Sequence, residues 1–201
     1  MPLTNRYIIS CSATSRIMEA IDESKKEWFV MRDLKRANAN LPAYKMLEDL
    51  GFKVFTPMTS KVVERGGKRT RIQAPFVQDL LFVLSEKELL DRVVDRTATL
   101  QYRYVKGAAY RTPMTVSAGD MERFIAAVTY VKTPRYYQLD EISPEMYGAK
   151  VRMICEGPMN GFEGTLLKIK GSGKKRLLVK LPGVLAAAIE IGRTDYVELI
   201  N

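Results

Sequence analysis

A chain of 201 residues with 46% hydrophobic content and a formal net charge of +9 can hold one globular domain or two small ones. Its charge points to a polyanionic neighbour such as DNA, RNA or the ribosome. It has no histidine and only Cys11 and Cys155, which excludes Ser-His, Cys-His and His-ligated metal schemes within the chain and fits a reducing cytoplasm rather than a disulfide framework. No catalytic constellation, metal site or cofactor is expected. No apolar run approaches the roughly 18 residues of a membrane span. Ile8-Ile9-Ser10-Cys11 superficially matches a lipoprotein cleavage box, but the apolar stretch after Arg6 is shorter than a signal core of about 7–15 residues.

In chain order, residues 1–26 read as an amino-terminal extension, with Ile17, Met18 and Ile21 at helical spacing. Trp28-Phe29-Val30-Met31 reads as a compact apolar strand, followed by a basic, Asn-rich turn with Lys35 and Arg36. The next helix runs to Leu50, with Asn40 as N-cap and Pro42 in its first turn. Ala43, Met46, Leu47 and Leu50 lie on one face, and Gly51 closes it. Phe52–Thr56 is a strand stopped by Pro57. Residues 61–73 form a β-hairpin around Gly66-Gly67, and Arg65, Lys68, Arg69 and Arg71 make it strongly positive. Asp79–Leu84 is nearly all apolar, predicting a central strand covered on both faces. Ser85 and Glu88 have capping-box spacing at the head of a helix reaching about Val94. Leu100–Val105 alternates as a strand. Ser117 or Asp120 opens a helix with Met121, Phe124, Ile125 and Val128 on one stripe.

From Lys132 the pattern breaks, and residues 133–146 read as a linker. Five short strands then follow, at 150–154, 164–170, 176–181, 187–191 and 196–200, as expected of a small barrel. The turn between the first two contains Gly157, Pro158, Gly161, Phe162 and Gly164. Gly157-Pro158 gives a tight exit, and Gly161 and Gly164 let the chain cross closely over the preceding strand. Lys168, Lys170, Lys174, Lys175, Arg176 and Lys180 make a basic stripe. Gly171-Ser-Gly173-Lys174 lacks the first glycine and the Ser/Thr of a phosphate loop, so it reads as a hairpin turn and no enzyme site is inferred.

Residues 151–169 resemble a KOW motif. With Trp28-Phe29-Val30, the Leu50–Pro57 segment, the basic hairpin at 63–70, Pro75-Phe76 and Leu81-Phe82-Val83, the chain resembles the NusG family of transcription elongation factors. Its wording is most similar to specialised paralogues such as RfaH and the antiterminators of capsular-polysaccharide operons. The resemblance implies an α+β chain: an NGN domain at 27–132, an antiparallel sheet with flanking helices, joined by the linker to a five-stranded SH3-like KOW barrel at 147–201. It further implies a cytoplasmic, monomeric, non-enzymatic factor that binds the clamp helices of RNA polymerase. Trp28, Phe76, Val77, Leu80 and Phe82 are the candidate contacts, with Val77 and Leu80 the more exposed. Lys35, Arg36, Arg65, Lys68, Arg69 and Arg71 would lie near DNA at the transcription bubble, and the loop at Arg96–Thr99 across the polymerase cleft. On the barrel, Gly157, Pro158, Gly161, Phe162 and Gly164 would meet Rho or a ribosomal protein. Where the family has Phe-Pro-Gly-Tyr before its Leu-Phe-Val strand, this chain has Val77-Gln78-Asp79-Leu80, which reshapes that surface. The alternative reading is a ribosome- or RNA-binding KOW protein acting in translation.

Overall fold

The computed structural model describes residues 25–35, 41–192 and 195–200, with the side chain of Arg65 excepted. The expected extension through residue 24, Arg36 and the expected N-cap Asn40 lie outside the described residues.

The first sheet is antiparallel in the order β2 (Lys53–Phe55), β5 (Leu80–Ser85), β1 (Glu27–Asp33), β6 (Leu100–Tyr102), with the short β7 (Thr115–Val116) also paired to β1. The apolar runs of β1 and β5 arise because both faces are covered. Trp28, Val30, Leu80 and Phe82 belong to one core; Phe29, Met31, Leu81 and Val83 belong to the other. The second core is completed by α1 (Ala43–Asp49) and α2 (Lys87–Arg96), through Ala43, Leu47 and Leu90. The first is covered by α3 (Ala118–Tyr130), through Met121, Phe124, Ala127 and Val128.

Helix starts follow side-chain chemistry, though not always the expected residue. Ser117 caps α3 by accepting from the Asp120 backbone N–H at 3.1 Å. At α2 the expected capping box does not form: Glu86 holds the N-cap position without a side-chain cap, and the Ser85 hydroxyl donates to the Glu86 carbonyl at 2.9 Å. α1 begins after Pro42 and is capped from a distance in sequence, with Asp33 Oδ2 accepting from the Ala43 N–H at 2.7 Å. Gly51 closes α1 at φ +85°, while Leu50, expected on the apolar face, is exposed.

β3 (Met58–Arg65) and β4 (Lys68–Pro75) form a separate two-stranded arm. Arg65 pairs with Lys68 across Gly66 and Gly67, both at positive φ as a two-residue turn requires. The arm is longer than the hairpin predicted at 61–73.

The carboxy-terminal half corrects two expectations. The predicted linker at 133–146 carries β8 (Arg135–Tyr137), which pairs with β12 (Leu185–Glu190) through Tyr136↔Ala187 and Tyr137↔Ala186, and then two 3-10 turns at Leu139–Glu141 and Pro144–Met146. The five predicted strands are present as β9 (Tyr147–Ile154), β10 (Glu163–Leu167), β11 (Arg176–Leu181), β12 and β13 (Tyr196–Leu199). They are arranged with β8 in an open sheet of order β13-β9-β10-β11-β12-β8. β8 occupies the free edge of β12, so among the described residues that edge does not pair with β13 and no barrel closes. α3 packs on β11 and β12 as well as on β1. One apolar core therefore runs from the first sheet through α3 into the second sheet, where it includes Val151, Met153, Leu177, Leu181 and Ile189. Tyr136 lies in this seam, its ring 5.5 Å from Phe76 and 6.3 Å from Phe124.

Candidate nucleic-acid and protein-contact surfaces

The β3–β4 arm carries Lys61, Arg65, Lys68, Arg69 and Arg71 against one acid, Glu64. The ion pair between Arg69 and Glu64, the one on the arm among the described residues, is long at 3.7 Å and well exposed, so it neutralises little. Val62 and Ile72 are also exposed on it. A solvated strand pair with a single sign of charge attracts phosphates through counterion release without reading sequence. Lys35 is not part of the arm tip. Its ammonium donates to the Leu41 carbonyl at 2.9 Å, and it lines a cleft at the arm's base.

The five candidate polymerase contacts separate by depth. Trp28 and Leu80 are each 2% exposed and Phe82 is fully buried. The expected exposure of Leu80 is corrected: β5 starts there, the turn before it is closed by the Leu80 N–H on the Val77 carbonyl at 3.2 Å, and strand alternation sends its side chain into the α3-side core. Phe76 and Val77 are half-buried at the edge of the same core. They are the two that keep accessible surface, and the Tyr136 ring packs at a tilt against Phe76.

The departure at Val77-Gln78-Asp79-Leu80 has a charge rationale that sequence reading missed. Asp79 accepts from Arg32 Nε at 2.9 Å and from Arg103 Nη2 at 3.1 Å, while its carbonyl accepts from the Asp33 N–H at 2.9 Å. One carboxylate thus ties the turn before β5 to β1 and to the residue after β6. No local pattern announces this, because the three residues lie far apart in sequence.

A second feature was legible but unread. From Arg96 to Gly119 the sequence contains no acid. Within that span Tyr110 is 87% exposed, the Arg111 guanidinium lies 5.1 Å from its ring, and Arg111 is the one non-glycine at positive φ among the described residues. An exposed tyrosine beside cations can stack on an unpaired base. Arg96–Thr99 itself forms the exit of α2: the Thr97 N–H bonds the Val94 carbonyl at 3.1 Å and the Leu100 N–H the Thr97 carbonyl at 2.9 Å. On α2, burial alone would raise the Asp91 pKa, but hydrogen bonds from the Lys87 ammonium at 2.6 Å and the Tyr102 hydroxyl at 2.9 Å hold it below the usual carboxylate value.

In the glycine turn, Gly157 and Gly161 adopt φ +107° and +78°, and Gly161 N–H bonds the Met153 carbonyl at 2.8 Å. The expected crossing over the preceding strand is corrected: in this turn only Gly164 makes a close approach, and it is to the following strand, β11. A Cβ there would lie 2.8 Å from Leu177 Cδ1 and 2.9 Å from the Leu178 carbonyl oxygen, whereas at Gly161 nothing lies within 4 Å. Pro158 is exposed, and the next residue, Met159, is buried outright. Phe162 is half-buried with the Arg123 guanidinium of α3 at 5.9 Å from its ring, so its face is shared with the helix. Nearby, the Tyr130 hydroxyl donates to Asp195 at 3.3 Å, and burial raises the Cys155 thiol pKa, with Asp195 adding to it. The basic stripe is partly spent: Lys174 pairs with Glu190 at 2.7 Å and Lys180 donates to the Tyr147 hydroxyl at 2.8 Å. Lys168, Lys170 and Lys175 remain exposed.

Among the described residues no helix is long and apolar enough to cross a membrane. A search of curated proteins finds no match. Residues 26–125 match the family model NusG, transcription termination factor nusG. The matched segment contains the first sheet, the basic arm and the start of α3, so residues 26–125 are similar to the NusG family of transcription factors.

Proposed function

We propose that the protein is a transcription elongation and antitermination factor, an operon-specific NusG paralogue, that binds the clamp helices of RNA polymerase through its amino-terminal domain. The observation that carries this reading is the match of residues 26–125 to the NusG family, whose members generally bind RNA polymerase. Phe76 and Val77 supply the accessible apolar edge, with Trp28, Leu80 and Phe82 supporting it from beneath. The arm carrying Arg65, Lys68, Arg69 and Arg71 lies against DNA at the bubble and contributes salt-sensitive, sequence-neutral attraction. The factor performs no chemistry: by bridging the polymerase cleft it favours the closed, unpaused state, a shift of populations. The carboxy-terminal sheet acts as a KOW-type coupling module, with Phe162 on its glycine turn as the anchor for Rho or a ribosomal protein.

Because the Tyr136 ring packs against Phe76 at 5.5 Å between centroids, polymerase engagement there exchanges one aromatic contact for another. Affinity is then reduced by the fraction of molecules in which the edge is covered. Core RNA polymerase passed over the immobilised full chain at moderate salt tests the reading. Retention that falls when Phe76 and Val77 become serine supports it; no retention by the unaltered chain rejects it in favour of an RNA- or ribosome-binding protein.

A further inference from the structure

The loop between β6 and β7 presents an aromatic ring that the fold does not use. A folded tyrosine ordinarily covers its ring and wets only its hydroxyl, yet Tyr110 is 87% exposed. The loop holds the ring out on a bonded frame. Its stem is knit to β1 by the Arg103 N–H on the Val30 carbonyl at 2.8 Å and the Val30 N–H on the Met114 carbonyl at 2.9 Å. Further out, Tyr104 bridges to Pro113, and the Val105 N–H bonds the Thr112 carbonyl at 3.0 Å. At the tip, the Thr112 N–H and hydroxyl both donate to the Ala109 carbonyl, at 3.1 and 2.8 Å. A ring on such a frame has little freedom left to lose when a partner binds.

A second observation concerns the residue beside the ring. Arg111 has φ +54°, a conformation that penalises any residue with a Cβ. Glycine adopts it without that penalty, as Gly107 does on the same loop at φ +79°. Arginine there instead sets a guanidinium 5.1 Å from the centre of the Tyr110 ring. Given the exposure of Tyr110, the ring face away from Arg111 stays open, and the residues leading up to it, Gly107, Ala108 and Ala109, are small and exposed.

Charge selects the partner. Lys106 and Arg111 are exposed and form no ion pair among the described residues, whereas Arg103 is engaged by Asp79. No acid occurs from Arg96 to Gly119 to offset them. An aromatic anchor for a protein partner sits within apolar surface that excludes water, but Tyr110 stands between Ala109 and Arg111. An open ring backed by a guanidinium, with unpaired cations alongside, suits a base and its phosphodiester. We infer that the β6–β7 loop is a binding site for single-stranded nucleic acid, in which an unpaired base stacks on Tyr110 while Arg111 and Lys106 meet the adjoining phosphates. A duplex does not satisfy the site, because its bases are already stacked on one another. The site uses no residue of the Phe76–Val77 edge or of the β3–β4 arm. It goes beyond polymerase binding and is tested without polymerase, so either reading can fail alone.

The test is fluorescence anisotropy of the purified full chain with labelled oligo-dT, oligo-rU, an abasic deoxyribose-phosphate strand of equal length and a duplex, each over a range of salt. The site predicts that Tyr110→Ala weakens the single strands by about fivefold or more at every salt concentration, and that Tyr110→Phe stays within about twofold of the unaltered chain. Lys106→Ala should weaken all strands and lower the slope of log affinity against log salt by about 0.7, one phosphate on a single strand, whereas Tyr110→Ala leaves that slope unchanged. The abasic strand keeps the phosphates without bases, so it should bind more weakly than oligo-dT and be indifferent to Tyr110→Ala. The ratio of oligo-dT to oligo-rU affinity distinguishes a DNA from an RNA source, and a Tyr110-dependent term on either supports the site. Tyr110 is a surface residue, so Tyr110→Ala should melt with the unaltered chain. Failure to bind either single strand, unchanged affinity in Tyr110→Ala, or an equal loss on the abasic strand or the duplex would each overturn the assignment.

Discussion

Gly164→Ala is the sharpest test of how the glycine turn is built. The new Cβ would stand 2.8 Å from Leu177 Cδ1 and 2.9 Å from the Leu178 carbonyl oxygen. Leucine rotation can relieve the first contact, but the second is main chain held in the β10–β11 ladder, where Thr165 pairs with Leu178. Relief then requires the strands to part, and overpacking of this kind costs about 1–3 kcal/mol. At about 2–4 °C per kcal/mol for a chain of this length, the melting midpoint should fall by roughly 2–12 °C. Gly161→Ala should also destabilise, for a different reason: nothing lies within 4 Å, but φ is +78°, a cost of about 1–2 kcal/mol. Gly173→Ala, with open space and no positive φ, is the control and should be neutral or stabilising by up to about 1 kcal/mol. Urea titrations followed by far-ultraviolet circular dichroism, compared at constant m-value, would read all three. A Gly164→Ala midpoint equal to that of Gly173→Ala would refute the close crossing, and with it the packing of β10 on β11.

Other outcomes follow from the same geometry. Among the described residues the buried Tyr137 hydroxyl has no partner, so Tyr137→Phe should leave thermal stability unchanged or raise it by about 1 kcal/mol or more; a clear loss in calorimetry would show that the hydroxyl is bonded. Asp79→Asn keeps the shape of the turn but removes the charge facing Arg32 and Arg103. The partners are partly exposed, so the loss should be modest, about 1 kcal/mol, and smaller still in high salt; a salt-independent loss would contradict the ion-pair account. Asp91 titrates below its unfolded value, so its stabilising contribution is present at neutral pH and lost as pH falls through the folded-state pKa. The stability gap between the unaltered chain and Asp91→Asn should accordingly be flat above about pH 5 and shrink toward about pH 3. A gap that widened on acidification would reverse the sign of the argument.

The local parts of the fold were readable because local sequence determines them. The apolar block at 28–31 announced a strand, the run at 79–84 announced a central strand covered on both faces, Gly66-Gly67 announced the arm, and Ser117 was one of two residues that announced the start of α3. What was not readable depends on long-range pairing. Tyr136 and Tyr137 sit between prolines and acids and read as linker, yet the edge of β12 recruits them as a strand, and that recruitment leaves the second sheet open. Periodicity alone did not reveal that Leu80 begins β5, so its side chain was assigned to the wrong side of the surface. The site suffered likewise. The basic arm was visible as composition, whereas the Arg32–Asp79–Arg103 tie exists only once β1, β5 and β6 are assembled.

The central claim is that the amino-terminal half engages RNA polymerase. Its most direct measurement is co-elution of the purified full chain with core RNA polymerase in size-exclusion chromatography at moderate salt, alongside the Phe76→Ser/Val77→Ser variant and a variant with Lys68, Arg69 and Arg71 changed to glutamate. The account predicts co-elution of the unaltered chain, weakened by the first variant at any salt. The second should weaken it only when the polymerase carries a DNA bubble. A chain that elutes apart from polymerase with and without the bubble, while remaining folded, would contradict it.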